Sequence, residues 1–247
     1  MEATLQVAEV RAANGARWLA DSFTIFRKQP MAWIGLCAGW IVITFGLILI
    51  PIVGGVVANF LQPVFFASFA IAAFKQVSGE TVVMGDLFSG FRRNVRALVN
   101  LGALLLIVEI AIFALMAALG LPLGPSDDKT FTLAEYVKLL QGKEWILLIG
   151  FALTALVKGA LWFAPPLIAF HDLSTTHAMR WSIYAALSNF GAMLVYGIAL
   201  AILFFLGIIP WGLGLLVVIP LMAISTFVGY REVFTSRQAA VSASSPA

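Results

Sequence analysis

Six apolar runs, separated by short polar connections, occupy most of this chain. A helix rises 1.5 Å per residue, so about 20 mostly apolar residues cross about 30 Å of hydrocarbon. The runs at 31–53, 54–77, 97–121, 144–170, 189–209 and 211–230 meet that length. The apolar stretch that ends at residue 77 is too long for one crossing. Ile50-Pro51-Ile52-Val53-Gly54-Gly55 divides it, and Pro210-Trp211-Gly212 divides the last two runs. Pro and Gly at those places predict tight helical hairpins. Counts of five or seven spans are the alternatives.

A short amphipathic segment introduces each predicted hairpin. In the first, Trp18, Leu19, Phe23 and Phe26 share one helical face, opposite Arg17, Asp21, Thr24, Arg27 and Lys28. In the second, Met84, Leu87, Phe88, Phe91 and Val95 oppose Asp86, Arg93 and Arg96. In the third, Met179, Ile183, Leu187 and Phe190 align. Such helices are expected to lie in the headgroup layer. Their junctions with the spans also repeat, as Phe26-Arg27-Lys28-Gln29, Phe91-Arg92-Arg93-Asn94 and Leu187-Ser188-Asn189. The returning helix of each hairpin carries proline: Pro63, then Pro165 with Pro166, then Pro220. Proline removes a backbone donor and crowds the preceding turn, so each return helix is expected to kink. The reading is therefore all-α and polytopic, with three hairpins and three short cytoplasmic helices. It divides the chain into an N-terminal segment 1–30, a membrane domain 31–230 and a disordered tail 231–247.

Composition supports that class. Of 247 residues, 62% are hydrophobic and 11% charged, where a soluble domain is about half apolar and about a quarter charged. The first 30 residues mix Arg11, Arg17, Arg27 and Lys28 with Glu2, Glu9 and Asp21, without the compact apolar core of a cleavable signal, so the first span is expected to stay as an anchor. Cys37 lies inside that span and forms no internal disulfide.

Charge sets an expected orientation. Eleven basic residues (Arg11, Arg17, Arg27, Lys28, Lys75, Arg92, Arg93, Arg96, Arg180, Arg231 and Arg237) fall on the side of the termini. Three, Lys129, Lys138 and Lys143, fall on the other. Positive residues collect on the cytoplasmic side, so both termini are expected there. Trp18, Trp33 and Trp181 near inner span ends, and Trp145 and Trp211 near outer ends, are expected at headgroup depth. The net charge of +3 reflects the asymmetry and does not point to nucleic acid.

At this point the chain resembles the uncharacterised six-span inner-membrane protein families of bacteria. It is also distantly similar to the membrane domain that accompanies some glycerophosphodiester phosphodiesterases. Trp18–Pro30, Gly85-Asp86-Leu87-Phe88-Ser89-Gly90-Phe91-Arg92 and the proline-bearing return helices carry the resemblance. It implies a bacterial inner-membrane protein without assigned activity. The phosphodiesterase catalytic domain is absent, so none of its chemistry transfers.

Candidate chemistry is sparse. Glu109 and Lys158 each lie about 12 residues, or about 18 Å, from the inner end of adjacent spans. A lone charge at that depth costs on the order of 2.5–3.5 kcal/mol, so a buried ion pair is expected, serving either helix register or a proton or solute path. Asn59, Gln62 and Thr154 are further polar groups in spans, suited to bonds across helices. Gly35 with Gly39 and Ala155 with Gly159 have the spacing of close helix contacts, read as internal packing ahead of dimerisation. His171, Asp172 and His177 lack the spacing of a metal site, and Asp172 or Ser174 is expected to cap the third cytoplasmic helix. Asp86 is expected to cap Leu87–Val95. In the outer loop 122–143, Thr132 with Glu135 has capping-box spacing, and Leu133, Val137 and Leu140 follow at helical intervals, predicting a short surface helix after a turn at Asp127, Asp128 and Lys129.

The expected partner is the bilayer, with no cofactor. Three functions remain: a non-enzymatic structural or accessory envelope protein, a small transporter or channel using Glu109 and Lys158, and a lipid-handling enzyme with almost no residue support.

Overall fold

The computed structural model describes residues 5–51, 53–122 and 133–244. Among them it is all helical, and six helices are long and apolar enough to cross a membrane. The N-terminal helix α1 covers Asn14–Phe26. The first hairpin is α2 (Pro30–Ile48) and α3 (Val53–Val77). A 3-10 helix, Met84–Arg92, leads into α4 (Val95–Ala118). After the surface helix α5 (Leu133–Leu140), the chain returns through α6 (Glu144–Ala160) and α7 (Ala164–His171). The third unit is α8 (Thr175–Ser188), α9 (Phe190–Ile208) and α10 (Leu215–Ser244).

The hairpin turns follow from their small residues. A Cβ on Gly54 would stand 1.7 Å from the Leu47 carbonyl oxygen, so only glycine lets α3 start this close to α2. Between α9 and α10, Trp211 and Gly212 take φ of 55° and 80°. The left-handed region suits Gly212 and strains Trp211.

The returning helices α3, α7 and α10 pack on one another at the centre, and the outgoing helices lie outside them. Pro63 and Pro220 lie inside continuous helices. At Pro165 and Pro166 the expected kink is instead a complete break at Leu161–Phe163, because two successive prolines remove two donors and crowd the carbonyls one turn earlier. The Ser182 hydroxyl splices the break. It donates to the Ala160 carbonyl at 2.8 Å and accepts the Phe163 amide at 3.1 Å. Backbone polar groups freed inside a membrane need such partners.

The amphipathic segments differ from expectation. Helix α1 does not rest its apolar face on lipid. It packs on α9 and α10, and Trp18 is fully buried against Trp162, Phe163 and Tyr196. Phe23, expected on the same face, is exposed. In the second segment Leu87 and Gly90 turn toward α2 and α3, while Met84 and Phe88 are exposed. Helix α8 turns most of its expected apolar residues outward: Thr175, Ala178, Ser182 and Ala185 face the protein, while Ile183 and Leu187, with Phe190 just beyond the helix, are exposed. Burial of a small-residue face lets α8 approach closely enough to bridge the α6–α7 break.

Two further boundaries change. The tail expected to be disordered from 231 is helical through Ser244, with Val233 and Phe234 buried. Trp33, expected at headgroup depth with Trp18, is also fully buried, and its indole N–H donates to Gln76 Oε1 at 2.7 Å. Gln76 in turn donates to the Ile25 carbonyl at 3.0 Å. Trp145 and Trp211 are exposed, and Trp181 is half-buried.

The three units close into a ring. Each amphipathic helix packs on the spans of the unit before it: α1 on α9 and α10, the 3-10 helix on α2 and α3, and α8 on α6 and α7. The junction amides follow the same order. Gln29 accepts the Val82 amide at 2.8 Å, and Asn94 donates to the Leu173 carbonyl at 3.4 Å. Asn189 accepts the Val10 amide at 2.7 Å and donates to the Ala8 carbonyl at 3.1 Å. Every bond joins a junction to the extended lead-in segment of the next unit, and the third returns to the N-terminal segment.

Candidate functional site

The site is built where two returning helices carry proline, one within a continuous helix and one at a break. Pro63 in α3 and Pro165 at the start of α7 border a cavity of about 100 Å³, with Gln62, Phe66, Lys158 and Trp162 among its walls. Pro63 has no N–H to give the Asn59 carbonyl. Helix α4 closes on that point, where a Cβ on Gly102 would lie 2.6 Å from the Asn59 oxygen.

Lys158 and Glu109 meet at 2.8 Å. The same ammonium donates to Gln62 Oε1 at 3.3 Å, so one cation ties α6 to both α3 and α4. The pair is only partly covered, with side-chain exposures of 41% for Lys158 and 29% for Glu109. Its surroundings explain this. Helix α6 packs along α4 and reaches α8, but has no extended contact with α3, α9 or α10. Helix α6 therefore joins the bundle chiefly through α4, against which Ile146 and Gly150 are buried, and the ion pair lies on that same contact. Ile107 and Ile110 flank Glu109 as exposed side chains, and Leu156 is exposed near Lys158.

Gln62 also borders a second cavity of about 170 Å³ between α2 and α3, with Trp40, Thr44 and Asn59. Thr154 and Glu109 line neither cavity. Of the candidate polar residues in the spans, Lys158, Gln62 and Asn59 therefore border two neighbouring spaces that share Gln62.

The small-residue pairs act differently from their spacing. Gly35 and Gly39 receive Met84 and Leu87 of the 3-10 helix, not another span. Nothing lies within 4 Å of a Cβ built on Gly159, and Ala155 is exposed, so this face meets no other helix among the described residues.

The other sequence candidates separate. His171 bonds the Tyr230 hydroxyl at 2.7 Å, and His177 bonds the Ser174 hydroxyl at 3.1 Å. Asp172 ends α7 in the left-handed region instead of capping α8. Ser174 precedes α8 with extended backbone, but its side chain is spent on His177 and caps no amide. Asp86 lies within the first turn of the 3-10 helix, where it accepts the Val83 amide at 2.8 Å and pairs with Lys75 at 3.1 Å. Asn94 takes the capping position of α4. Thr132 and Asp127–Lys129 lie outside the described residues, while the helix expected after them occupies Leu133–Leu140.

Sequence reasoning missed the groups that join the first helix and the last two. Asn14 and the Trp18 indole both donate to the Glu232 carboxylate, joining the first helix to the last. Tyr196 and Ser225 share a buried hydrogen bond of 2.6 Å. Only the repeated amide at Gln29, Asn94 and Asn189 left a trace in the sequence.

The chain matches no protein-family profile, and no solved structure matches it. It is 28% identical, over 206 residues, to a "probable inner membrane protein" of Burkholderia thailandensis, covering 78% of this chain and 74% of that protein. Nothing in these comparisons supports the resemblance to glycerophosphodiester phosphodiesterases. The six apolar helices and this similarity make the chain a multi-pass integral membrane protein, similar to a bacterial inner-membrane protein.

Proposed function

We infer that the protein is a non-enzymatic accessory component of a bacterial inner membrane, with both termini in the cytoplasm. In this reading the Glu109–Lys158–Gln62 cluster is a structural clamp that fastens α6 to the bundle. The observation that carries it is the position of Lys158, whose ammonium reaches Glu109 on α4 and also Gln62 on α3, a helix with which α6 has no other extended contact. The separate engagement of His171 and His177 by Tyr230 and Ser174 favours a non-enzymatic role. The similarity to an inner-membrane protein supports the location, and the eleven-to-three distribution of basic residues supports the orientation.

A transporter or channel is the second reading. It is favoured by Gln62, which borders both cavities, and by the partial exposure of Lys158. Proteoliposomes carrying an internal pH dye and a potassium diffusion potential separate the two. The accessory reading expects proton flux equal in wild type, Lys158→Met and protein-free vesicles. Flux that requires Lys158 and Glu109 overturns it in favour of transport.

A further inference from the structure

Helix α8 carries three distinct faces. At 3.6 residues per turn, Thr175, Ala178, Ser182 and Ala185 form the face turned to the protein. Ile183 and Leu187 form an exposed apolar rib on a second, and Phe190 at the start of α9 is exposed beyond it. His177, Arg180, Trp181 and Tyr184 form the third and line an open groove of about 500 Å³.

This arrangement fixes how the helix meets a bilayer. The exposed apolar rib lowers its energy by entering the acyl region, and the small-residue face is held by α7 and the α6–α7 break. The remaining face then points sideways at headgroup depth. Trp181 and Tyr184, in edge contact at 6.2 Å between ring centroids, are the residue types that prefer that depth. Arg180 is exposed and makes no ion pair or side-chain hydrogen bond among the described residues. No carboxylate lines the groove. A guanidinium without an anion, flanked by hydrogen-bonding aromatic rings, complements a phosphodiester, which it can engage with two parallel N–H donors.

We propose that the His177–Arg180–Trp181–Tyr184 face of α8 is a binding site for the headgroup of an anionic phospholipid. The lipid phosphate sits against Arg180, its glycerol region lies beside Trp181 and Tyr184, and its acyl chains run along Ile183 and Leu187. The site thereby holds α8, and through Ser182 the break in the fourth span, at a set depth.

Native mass spectrometry of the detergent-purified full chain tests this by titration with phosphatidylglycerol and with phosphatidylcholine. The first phosphatidylglycerol is expected to bind more tightly than phosphatidylcholine. Arg180→Gln is expected to weaken it about fivefold, the size of one basic side chain's attraction to an anionic surface. Arg17→Gln, an exposed arginine on another helix, is expected to leave it unchanged. Trp181→Phe with Tyr184→Phe serves as a second variant that keeps the packing, and it too is expected to weaken phosphatidylglycerol binding. Equal binding of the two lipids, equal loss with Arg17→Gln, or wild-type binding by both α8 variants overturns the proposal. So does an acidic peptide that displaces the lipid while phosphatidylglycerol fails to displace the peptide.

Discussion

The side-chain oxygen of Asn189 accepts the amide of Val10 at 2.7 Å, across 179 residues of chain. This contact closes the ring of three helical units. Asn189 is 2% exposed and also donates to the carbonyls of Ala8 and Ala185 at 3.1 and 3.0 Å. The Ala8 amide continues the strap onto the Val233 carbonyl at 2.8 Å.

Asn189→Ala is therefore expected to free the N-terminal segment. Leaving buried partners unsatisfied costs about 1–3 kcal/mol. Trypsin should cut the variant after Arg11 much faster than wild type, with a lower melting temperature in detergent. Asn189→Asp keeps an acceptor for Val10 but turns a buried carboxylate oxygen toward the Ala8 and Ala185 carbonyls, so it should be at least as destabilised as Asn189→Ala. Unchanged cleavage at Arg11 in Asn189→Ala would show that the segment is held by other contacts.

The pair of Glu109 and Lys158 should behave as a coupled unit. Lys158→Met leaves a carboxylate alone at mid-membrane, and Glu109→Gln leaves an ammonium with only Gln62 to accept from it. Each single variant should be less stable than the double variant. The coupling energy is expected on the order of 1 kcal/mol, since interhelical polar contacts in membranes average below that and charge raises it. Unfolding in mixed micelles measures the cycle, and additive effects would rule the coupling out.

Glycine substitutions should separate the packed interfaces from the open one. A Cβ on Gly15 would stand 2.0 Å from the Ala192 carbonyl oxygen, so Gly15→Ala must push α1 off α9. A cost above about 2 kcal/mol is expected, in the range of overpacked cores. Gly159→Ala meets nothing within 4 Å and should be neutral or stabilising by up to about 1 kcal/mol, because alanine is the better helix former. Thermal melting of both variants checks this. A destabilised Gly159→Ala would mean that this face is in fact covered.

Sidedness can be read directly. In a Cys37→Ser background, Gln141→Cys should react with a membrane-impermeant maleimide in intact spheroplasts. Ser78→Cys should react only after the membrane is opened. Both positions are exposed in the structure. The reverse pattern would place the termini outside and overturn the orientation drawn from the basic residues.

Much of the fold was legible because a membrane imposes two strong one-dimensional rules. Hydrocarbon thickness sets span length, and backbone satisfaction forces each span to be helical. Matched depth likewise put Glu109 and Lys158 within reach of one another. What failed was the reading of amphipathic faces. Trp18 and Phe23 are both apolar or nearly so, and periodicity says only that they share a stripe. It cannot say whether lipid or protein covers that stripe, since hydrocarbon and a protein core are almost equally good solvents for it. The double proline at Pro165 and Pro166 signalled a disturbance, but the clean break depended on Ser182 from another helix.

The sequence by itself determined six helical spans, their grouping into three hairpins and the uneven placement of basic residues. Each follows from local composition against a solvent of known thickness. Only the tertiary structure decided that each amphipathic helix packs on the preceding unit, that Gln29, Asn94 and Asn189 link the units in a cycle, and that Lys158 on α6 reaches both Glu109 on α4 and Gln62 on α3. Those features depend on which surfaces meet after the spans are already in the bilayer. There the choice among partners is made by shape, small residues and single hydrogen bonds between distant positions, none of which leaves a periodic mark along the chain.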